Sequence, residues 1–165
     1  SQGTSQKRQA EGNPRTARQG EVEGRPRWAS PQSPVIVVDT SVWIDYFRKN
    51  QPPQVEWLNS ALNENEDLCT CGLICTEILQ GIKVEAQYRK VKHLLSSLLY
   101  LPMKKETYFA AAVIFRTSRT KGKTIRNTVD CLIAACVIDH KATLLQRDRD
   151  FKAIAEVTNL KLVKP

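Results

Sequence analysis

Four acidic residues in this chain stand in sequence surroundings that do not explain their charge. Asp39 ends the β-branched run VIVVD, and Asp130 is the one charged residue in VDCLIAACVI. Glu77 lies among apolar residues in LICTEILQGI, and Asp148 follows an apolar segment in LLQRDRDF. Burying a lone carboxylate is costly unless a cation or several hydrogen-bond donors compensate it. Because Mg²⁺ and Mn²⁺ prefer carboxylate and water oxygens, acids that converge in space would predict a hard-metal site.

Each of these acids also has a structural interpretation. Asp39 is suited to cap a following helix, and Asp130 would be favoured by the dipole of a first helical turn. Glu77 could lie on an exposed stripe of its helix. One of Asp148 and Asp150 is expected to cap the next helix, and Asp150 suits that role better because Asp148 is nearer the strand end. Sequence alone leaves these alternatives open.

The elements that would position the acids alternate between strand and helix. The patterns predict strands at residues 34–38, 68–71, 100–103, 143–146 and 160–163. They predict helices from the first strand to about residue 47 and at 54–62, 73–80, 85–98, 104–120, 128–140 and 150–157. On the helix at 104–120, the pattern predicts that four side chains face inward: Tyr108, Ala111, Ala112 and Phe115. Such alternation predicts a parallel sheet with helices on both faces, whose ligand site lies beyond the carboxyl ends of the strands.

The bulk composition narrows the class of protein. With 165 residues and 41% hydrophobic residues the chain can form a real core, and its net charge of +8 favours a polyanionic partner such as nucleic acid. No apolar stretch approaches the roughly 18 residues that a membrane span needs, and no signal peptide is visible. The five cysteines lie in apolar runs without metal-ligand spacing, which favours free buried thiols in the cytoplasm over a zinc site.

The first 33 residues differ in composition from the rest. They are rich in Gln, Gly, Arg, Ser and Pro and contain almost no large apolar residues. Such a segment cannot bury enough apolar area to offset the entropy of ordering it, so we expect a disordered polar leader at 1–33 and a folded domain at 34–165. The leader holds six Lys or Arg against three Glu, which gives it +3 of the chain's net charge of +8, so the folded part is basic as well.

The densest basic run precedes Asp130 and includes the loop TKGKT. We expect it to contact phosphates, although a plain solvated helix end would have the same composition. Its members are Arg116, Arg119, Lys121, Lys123 and Arg126. The chain contains no phosphate-loop, dinucleotide-binding or nucleophile-elbow motif that would favour another chemistry.

With these residues in view, the sequence resembles the PIN-domain ribonucleases, specifically the VapC-type toxins of bacterial toxin–antitoxin pairs. The similarity rests on VIVVDTSVWIDYF, CTEILQGI, TVDCLIAACVIDH and LLQRDRDF, which occur in the family's order across residues 34–165. It implies a PIN-like three-layer α/β/α sandwich with a central parallel sheet. The polar leader departs from the family pattern, in which the first acid usually lies close to the start.

The resemblance implies a Mg²⁺- or Mn²⁺-dependent endoribonuclease that hydrolyses RNA phosphodiester bonds with one or two ions. The catalytic and metal-binding acids would be Asp39, Glu77, Asp130 and Asp148, with Asp150 able to share or take over the last role. Thr40 and Ser41 would support the first acid through hydrogen bonds. Asp45 would lie either behind the metal-binding acids, without contacting the ion, or at the protein surface. The implied partners are the RNA substrate, a cognate antitoxin and a second copy of the chain, bound through the helices after Pro53 and Glu85 unless these are simply core.

Two alternatives belong to other classes. One is a non-catalytic PIN-like module that binds RNA or a protein, although intact acidic positions argue against it. The other is a DNA or structure-specific nuclease, which the length of the chain disfavours because such enzymes often need additional helical clamps. A metal-dependence assay on RNA and DNA separates all three.

Overall fold

The structure, a computed structural model, describes residues 35–165, so the predicted leader at 1–33 lies outside the described residues. Within this range the chain forms five strands and seven helices. The strands are β1 (Ile36–Val38), β2 (Leu68–Thr70), β3 (Leu99–Tyr100), β4 (Thr143–Leu145) and β5 (Lys161–Leu162). The helices are α1 (Thr40–Phe47), α2 (Pro53–Asn63), α3 (Gly72–Gln80), α4 (Glu85–Ser96), α5 (Lys105–Thr120), α6 (Thr128–Asp139) and α7 (Arg149–Ala155).

The five strands form one parallel sheet in the order β3-β2-β1-β4-β5. All three residues of β1 and of β2 are buried, which requires that helices cover both faces of the sheet. The strand order reverses direction between β1 and β4, and such a switch point opens a crevice at the carboxyl ends of its two strands. The predicted α/β architecture is therefore confirmed. The residues that follow β1 and β4 lie at this crevice.

Helix α6 runs through the interior and packs most extensively against α5. Its side chains from Ile133 to Val137 are all buried, many of them small. The prediction that Tyr108 and Ala112 face inward is wrong, since Tyr108 is 51% exposed and Ala112 is also exposed. The buried side of α5 is instead formed by Thr107, Ala111, Ile114 and Ser118. Small side chains on this stripe allow α5 to approach α6 closely.

The cysteines are free, and four of the five are buried while Cys75 is half-buried. Among residues 35–165, every helix is too short or too polar to cross a lipid bilayer.

Candidate active site

Asp39 directly follows the central strand and is 95% buried. Its backbone is extended, and it caps α1: Oδ2 accepts hydrogen bonds from the backbone N–H of Ser41 (3.0 Å) and from Ser41 Oγ (2.5 Å). Burial raises the pKa of Asp39, while the bonds from Ser41 oppose that rise. The capping interpretation is therefore right, but it leaves a nearly buried carboxylate at the crevice.

Glu77 reaches the same crevice from α3. Thr40, the first residue of α1, donates a hydrogen bond from Oγ1 to Glu77 Oε2 at 2.7 Å. This bond joins α1 to α3 and fixes one of the two oxygens of Glu77. The negative charge of Glu77 contributes to the raised pKa of Asp39, which shows that the two acids interact.

Asp130 lies in the first turn of α6, but it is not the cap of that helix. Asn127 caps α6 by accepting from the backbone N–H of Val129 at 3.0 Å. Burial, followed by the charges of Asp39, Asp148, Asp150 and Glu77, raises the pKa of Asp130 to about 7. Within residues 35–165, no donor is hydrogen-bonded to its carboxylate. Asp130 is thus a half-buried acid surrounded by like charges.

Asp148 and Asp150 flank the start of α7 and have different roles there. Asp148 has extended backbone angles and caps the helix by accepting from the backbone N–H of Asp150 at 3.0 Å. The expectation that Asp150 is the cap is wrong, because Asp150 is already the second residue of the helix. Its side chain, only 4% exposed, turns inward and contacts Arg126.

Arg126 binds both of these acids. Its backbone N–H donates to Asp150 Oδ2 at 2.9 Å, and its Nε lies 3.3 and 3.2 Å from Asp150 Oδ1 and Oδ2. Its Nη2 donates to Asp148 Oδ1 at 2.7 Å. The sequence predicted Arg126 only as a phosphate contact, so its role as the internal partner of Asp148 and Asp150 was not anticipated.

Gln146 is a further residue beside the acids that the sequence analysis did not identify. Val38 pairs with Leu145, and Asp39 continues the ladder by donating to the Leu145 carbonyl at 2.9 Å. Extending the pairing by one residue places Gln146 beside Asp39. Gln146 is 93% buried, and its Oε1 accepts no hydrogen bond within the part of the chain that the structure describes. Its position at the end of a predicted strand was the available signal.

Asp45 lies near the surface and is already paired. Asn50 donates to its Oδ1 at 2.7 Å, and Arg147 forms an ion pair with its Oδ2. The bond from Asn50 is the main reason why the pKa of Asp45 is lowered. Asp45 therefore links α1 to the segment before α7.

The predicted phosphate-binding cations fall into two groups. Lys123 forms an ion pair with Glu156, and Arg126 is bound by the two acids described above. Arg116, Arg119 and Lys121 are exposed at the end of α5, and no ion pair within residues 35–165 engages them. The side of α5 that contains Arg116 and Arg119 also lines a surface groove of about 620 Å³.

The acids lie in one neighbourhood, since the charges of the other four act on Asp130. Within residues 35–165, however, no three His, Cys, Asp or Glu side chains lie close enough together to bind an ion directly. Ser41, Thr40 and Arg126 each hold one or two of the acids, and like charges repel one another. Direct binding of an ion by three of these acids would therefore require their side chains to move. The residues present fit Mg²⁺ or Mn²⁺, because every candidate ligand atom is an oxygen and no cationic side chain of residues 35–165 forms an ion pair with Asp130.

Comparison with known proteins gives consistent results at the level of sequence. Residues 36–157 match the PIN domain family. A VapC ribonuclease of Mycobacterium bovis and ribonuclease VapC11 of Mycobacterium tuberculosis are each 37% identical to this chain over 128 residues. The matched region is 76% of this chain and 96% of each relative.

Solved structures share the fold at lower sequence identity. VapBC2 from Rickettsia felis, crystallised with a promoter DNA fragment, matches with a TM-score of 0.63 at 23% identity, over 78% of this chain and 97% of that one. VapBC-1 from nontypeable Haemophilus influenzae matches with a TM-score of 0.62 at 22% identity, over 78% and 96%.

Proposed function

The chain belongs to the PIN-domain family and, within it, to the VapC ribonucleases; from this membership we propose that it is a metal-dependent endoribonuclease and the toxin of a toxin–antitoxin pair. The observation that supports this most directly is the state of Asp130. A half-buried carboxylate without a donor, close to four other acids, is unfavourable in a purely structural role. It is favourable where a cation is to be bound, and that cation can in turn hold a polyanionic substrate.

The metal-binding residues in this proposal are Asp39, Glu77 and Asp130, with Asp148, whose charge acts on Asp130, as a fourth acid. A bound Mg²⁺ or Mn²⁺ would activate water and neutralise charge on the scissile phosphate. Asp39 and Glu77 each have one oxygen held by a hydroxyl group, which leaves their other oxygen for the ion. Gln146, through its unpartnered Oε1, is placed to accept a hydrogen bond from water beside Asp39.

The protonation of Asp130 is coupled to metal binding in this proposal. In the metal-free chain its pKa is raised to about 7, so part of the population carries a proton near neutral pH. Because a bound divalent cation would favour the ionised carboxylate, ion binding is expected to displace this proton. Ser41 and Thr40 act as positioning residues, since they contact the acids and not the reacting phosphate.

RNA would be held by the exposed cations Arg116, Arg119 and Lys121 at the end of α5. These side chains can neutralise phosphates without first breaking an ion pair, whereas Lys123 would have to leave Glu156. The adjacent groove on α5 also offers Thr117 and Thr120 hydroxyl groups. This arrangement suits contacts to the backbone of single-stranded RNA.

A cognate antitoxin is the proposed protein partner, covering the acidic crevice with a basic segment. The cytoplasm is the proposed compartment, in agreement with five free cysteines.

A homodimer is also proposed, but through a surface other than α2 and α4, because the apolar residues of these two helices are largely buried as core. Three of the five exposed large hydrophobic side chains among residues 35–165 lie on α5, where Phe109 and Val113 are 61% and 59% exposed. Phe109→Glu should therefore convert a dimer to a monomer in light scattering.

The central experiment is cleavage of total cellular RNA by the purified chain with Mg²⁺, with Mn²⁺ and with EDTA. We expect cleavage only with metal, and a loss of about 100-fold or more for Asp39→Asn and Asp130→Asn, because even outer-shell partners of a metal typically account for 10- to 100-fold. Asp139→Asn is the matched control, since Asp139 lies exposed on the same helix as Asp130. Circular dichroism should show unchanged folding in all three variants.

Other outcomes identify the alternatives. Tight RNA binding without cleavage under any metal condition would indicate a non-catalytic binding module. Cleavage of DNA in preference to RNA would indicate a DNA nuclease. Undiminished cleavage by purified Asp130→Asn would contradict the assignment of the site.

A further inference from the structure

The acids at the crevice fall into two sets that differ in their counter-charge. Asp148 and Asp150 are paired with Arg126, whereas no ion pair within residues 35–165 involves Asp39, Glu77 or Asp130. Arg126 thus gives the first set a cation of the protein itself, whereas the second set is paired with no cation of residues 35–165.

The hydrogen bonds to Asp150 occupy both of its oxygens. Oδ2 accepts from the backbone N–H and Nε of Arg126, and Oδ1 accepts from the same Nε. The Asp150 side chain is 4% exposed and that of Arg126 is 52% exposed, so any other cation would have to displace a half-exposed arginine from a buried carboxylate whose two oxygens are both hydrogen-bonded. Asp150 is therefore not available as a metal ligand while Arg126 is in place.

Asp148 is partly committed in the same way. Its Oδ1 accepts from Arg126 Nη2 and from the backbone N–H of Asp150, which leaves only Oδ2. A divalent ion bound between Asp148 and Asp150 would lie against a guanidinium held by both backbone and side-chain bonds. Repulsion between the two cations would oppose such binding.

Two acceptor groups at the crevice are unfilled. Asp130 receives no hydrogen bond from residues 35–165, and the buried Gln146 Oε1 beside Asp39 receives none either. An unpartnered amide oxygen that is 93% buried is itself an indication that a ligand or its water completes this side. The acceptor atoms therefore favour an ion near Asp39 and disfavour one near Arg126.

We propose that Arg126 is a positioning residue that takes the place of a second metal ion. In this arrangement the site binds a single divalent cation among Asp39, Glu77 and Asp130, and Arg126 supplies the positive charge that is paired with Asp148 and Asp150. This inference rests on the proposed function, since it concerns the same metal site. It also assigns Asp150 to the support of Arg126 and not to metal binding.

The test is a calorimetric titration of the metal-free full chain with Mn²⁺, which needs no catalysis. We expect one ion per wild-type chain and two ions per chain for Arg126→Gln, because the acids released by Arg126 form a second site. Arg119→Gln, which removes an exposed arginine, should bind one ion as the wild type does. Arg126→Lys, which keeps the positive charge, should also bind one.

Each outcome has a distinct meaning. Two ions bound to the wild type would overturn the inference without affecting the proposed nuclease function, and this result does not depend on whether any variant folds. A folded Arg126→Gln protein that still binds one ion with unchanged affinity would overturn the role of Arg126. No binding to the wild type at any accessible Mn²⁺ concentration would overturn the metal-dependent function itself, and this inference with it.

Discussion

Asp130 is the residue at which burial and charge oppose each other most directly. Its carboxyl group has a pKa of about 7 in the folded chain against 3.8 for an unperturbed group. Between these two values the folded state binds a proton that the unfolded state releases. The corresponding stabilisation is fully present below the unfolded pKa and is lost as pH rises through the folded pKa.

This gives a prediction for the metal-free protein. Between about pH 4 and 7, the melting temperature of the wild type should fall relative to that of Asp130→Asn, whose side chain does not titrate. Thermal unfolding in EDTA, monitored by circular dichroism at several pH values, measures the difference. Asp139→Asn should follow the wild type, and parallel curves for the wild type and Asp130→Asn would contradict the raised pKa.

At this scale the sequence shows which acids are unusual but not what binds them. Asp130 could be identified because it is the one charge in a long apolar run, and Asp39 because it ends a buried strand. Arg126 could not be distinguished from the other cations of its loop. Its partner Asp150 is 24 residues away, and only the packing of α7 beside the start of α6 brings them together.

At the scale of the elements, the hydrogen bond between Thr40 and Glu77 is a link between two helices. Thr40→Val keeps the shape of the side chain but removes the donor. We expect a loss of about 1 kcal/mol in the free energy of unfolding, which is typical of one hydrogen bond. Metal affinity should fall by roughly tenfold, as for other supporting residues of metal sites.

Denaturant unfolding and Mn²⁺ titration measure these two effects. The matched control is Thr76→Val, on the exposed side of α3, where the hydroxyl donates only to the Gly72 carbonyl of its own helix. Its metal affinity should equal that of the wild type. An equal loss of affinity in both variants would show that the effect is not due to the contact with Glu77.

The contact between α5 and α6 gives a second prediction for the elements. Ala111→Leu should destabilise the fold by about 1–3 kcal/mol, because the added carbons would enter a fully packed interface. Ala112→Leu, one residue further on the exposed side, should change stability by no more than about 0.5 kcal/mol. Equal effects of the two substitutions in urea unfolding would contradict the observed orientation of α5.

Most element boundaries could be predicted to within about two residues from hydrophobic periodicity, prolines and glycines. The orientation of α5 could not. Its buried stripe includes the polar residues Thr107 and Ser118, whereas Tyr108 is half exposed. Hydrophobicity alone favours the tyrosine as the buried residue, and only the small side chains of the neighbouring α6 explain the opposite result.

For the whole molecule, the distribution of charge predicts how RNA binding depends on salt. The triple substitution of Arg116, Arg119 and Lys121 by Gln should lower the slope of log affinity against log salt by about 2, since each phosphate contact to a single strand contributes about 0.7. Fluorescence anisotropy with a catalytically inactive Asp39→Asn background measures this slope. Substituting three exposed lysines elsewhere, Lys83, Lys90 and Lys92, should change it much less.

The alternation of strands and helices implied a parallel sheet, but not the order β3-β2-β1-β4-β5. Many orders satisfy the same local pattern, because pairing between strands depends on contacts distant in sequence. The position of the switch point between β1 and β4 follows from that order. Only the structure could therefore show that Gln146 lies beside Asp39.

The pairing of β1 with β4 also bears on when the protein becomes active during its synthesis. Asp39 is anchored to the carbonyl of Leu145, and Asp130 interacts both with Asp39 and with residues as late as Asp148. At a ribosomal rate of roughly 5–20 residues per second, several seconds separate the translation of these two ends. If the acids act together as proposed, a nascent chain that ends before Asp130 holds only Asp39 and Glu77, so we expect a growing polypeptide to spare the messenger RNA that encodes it.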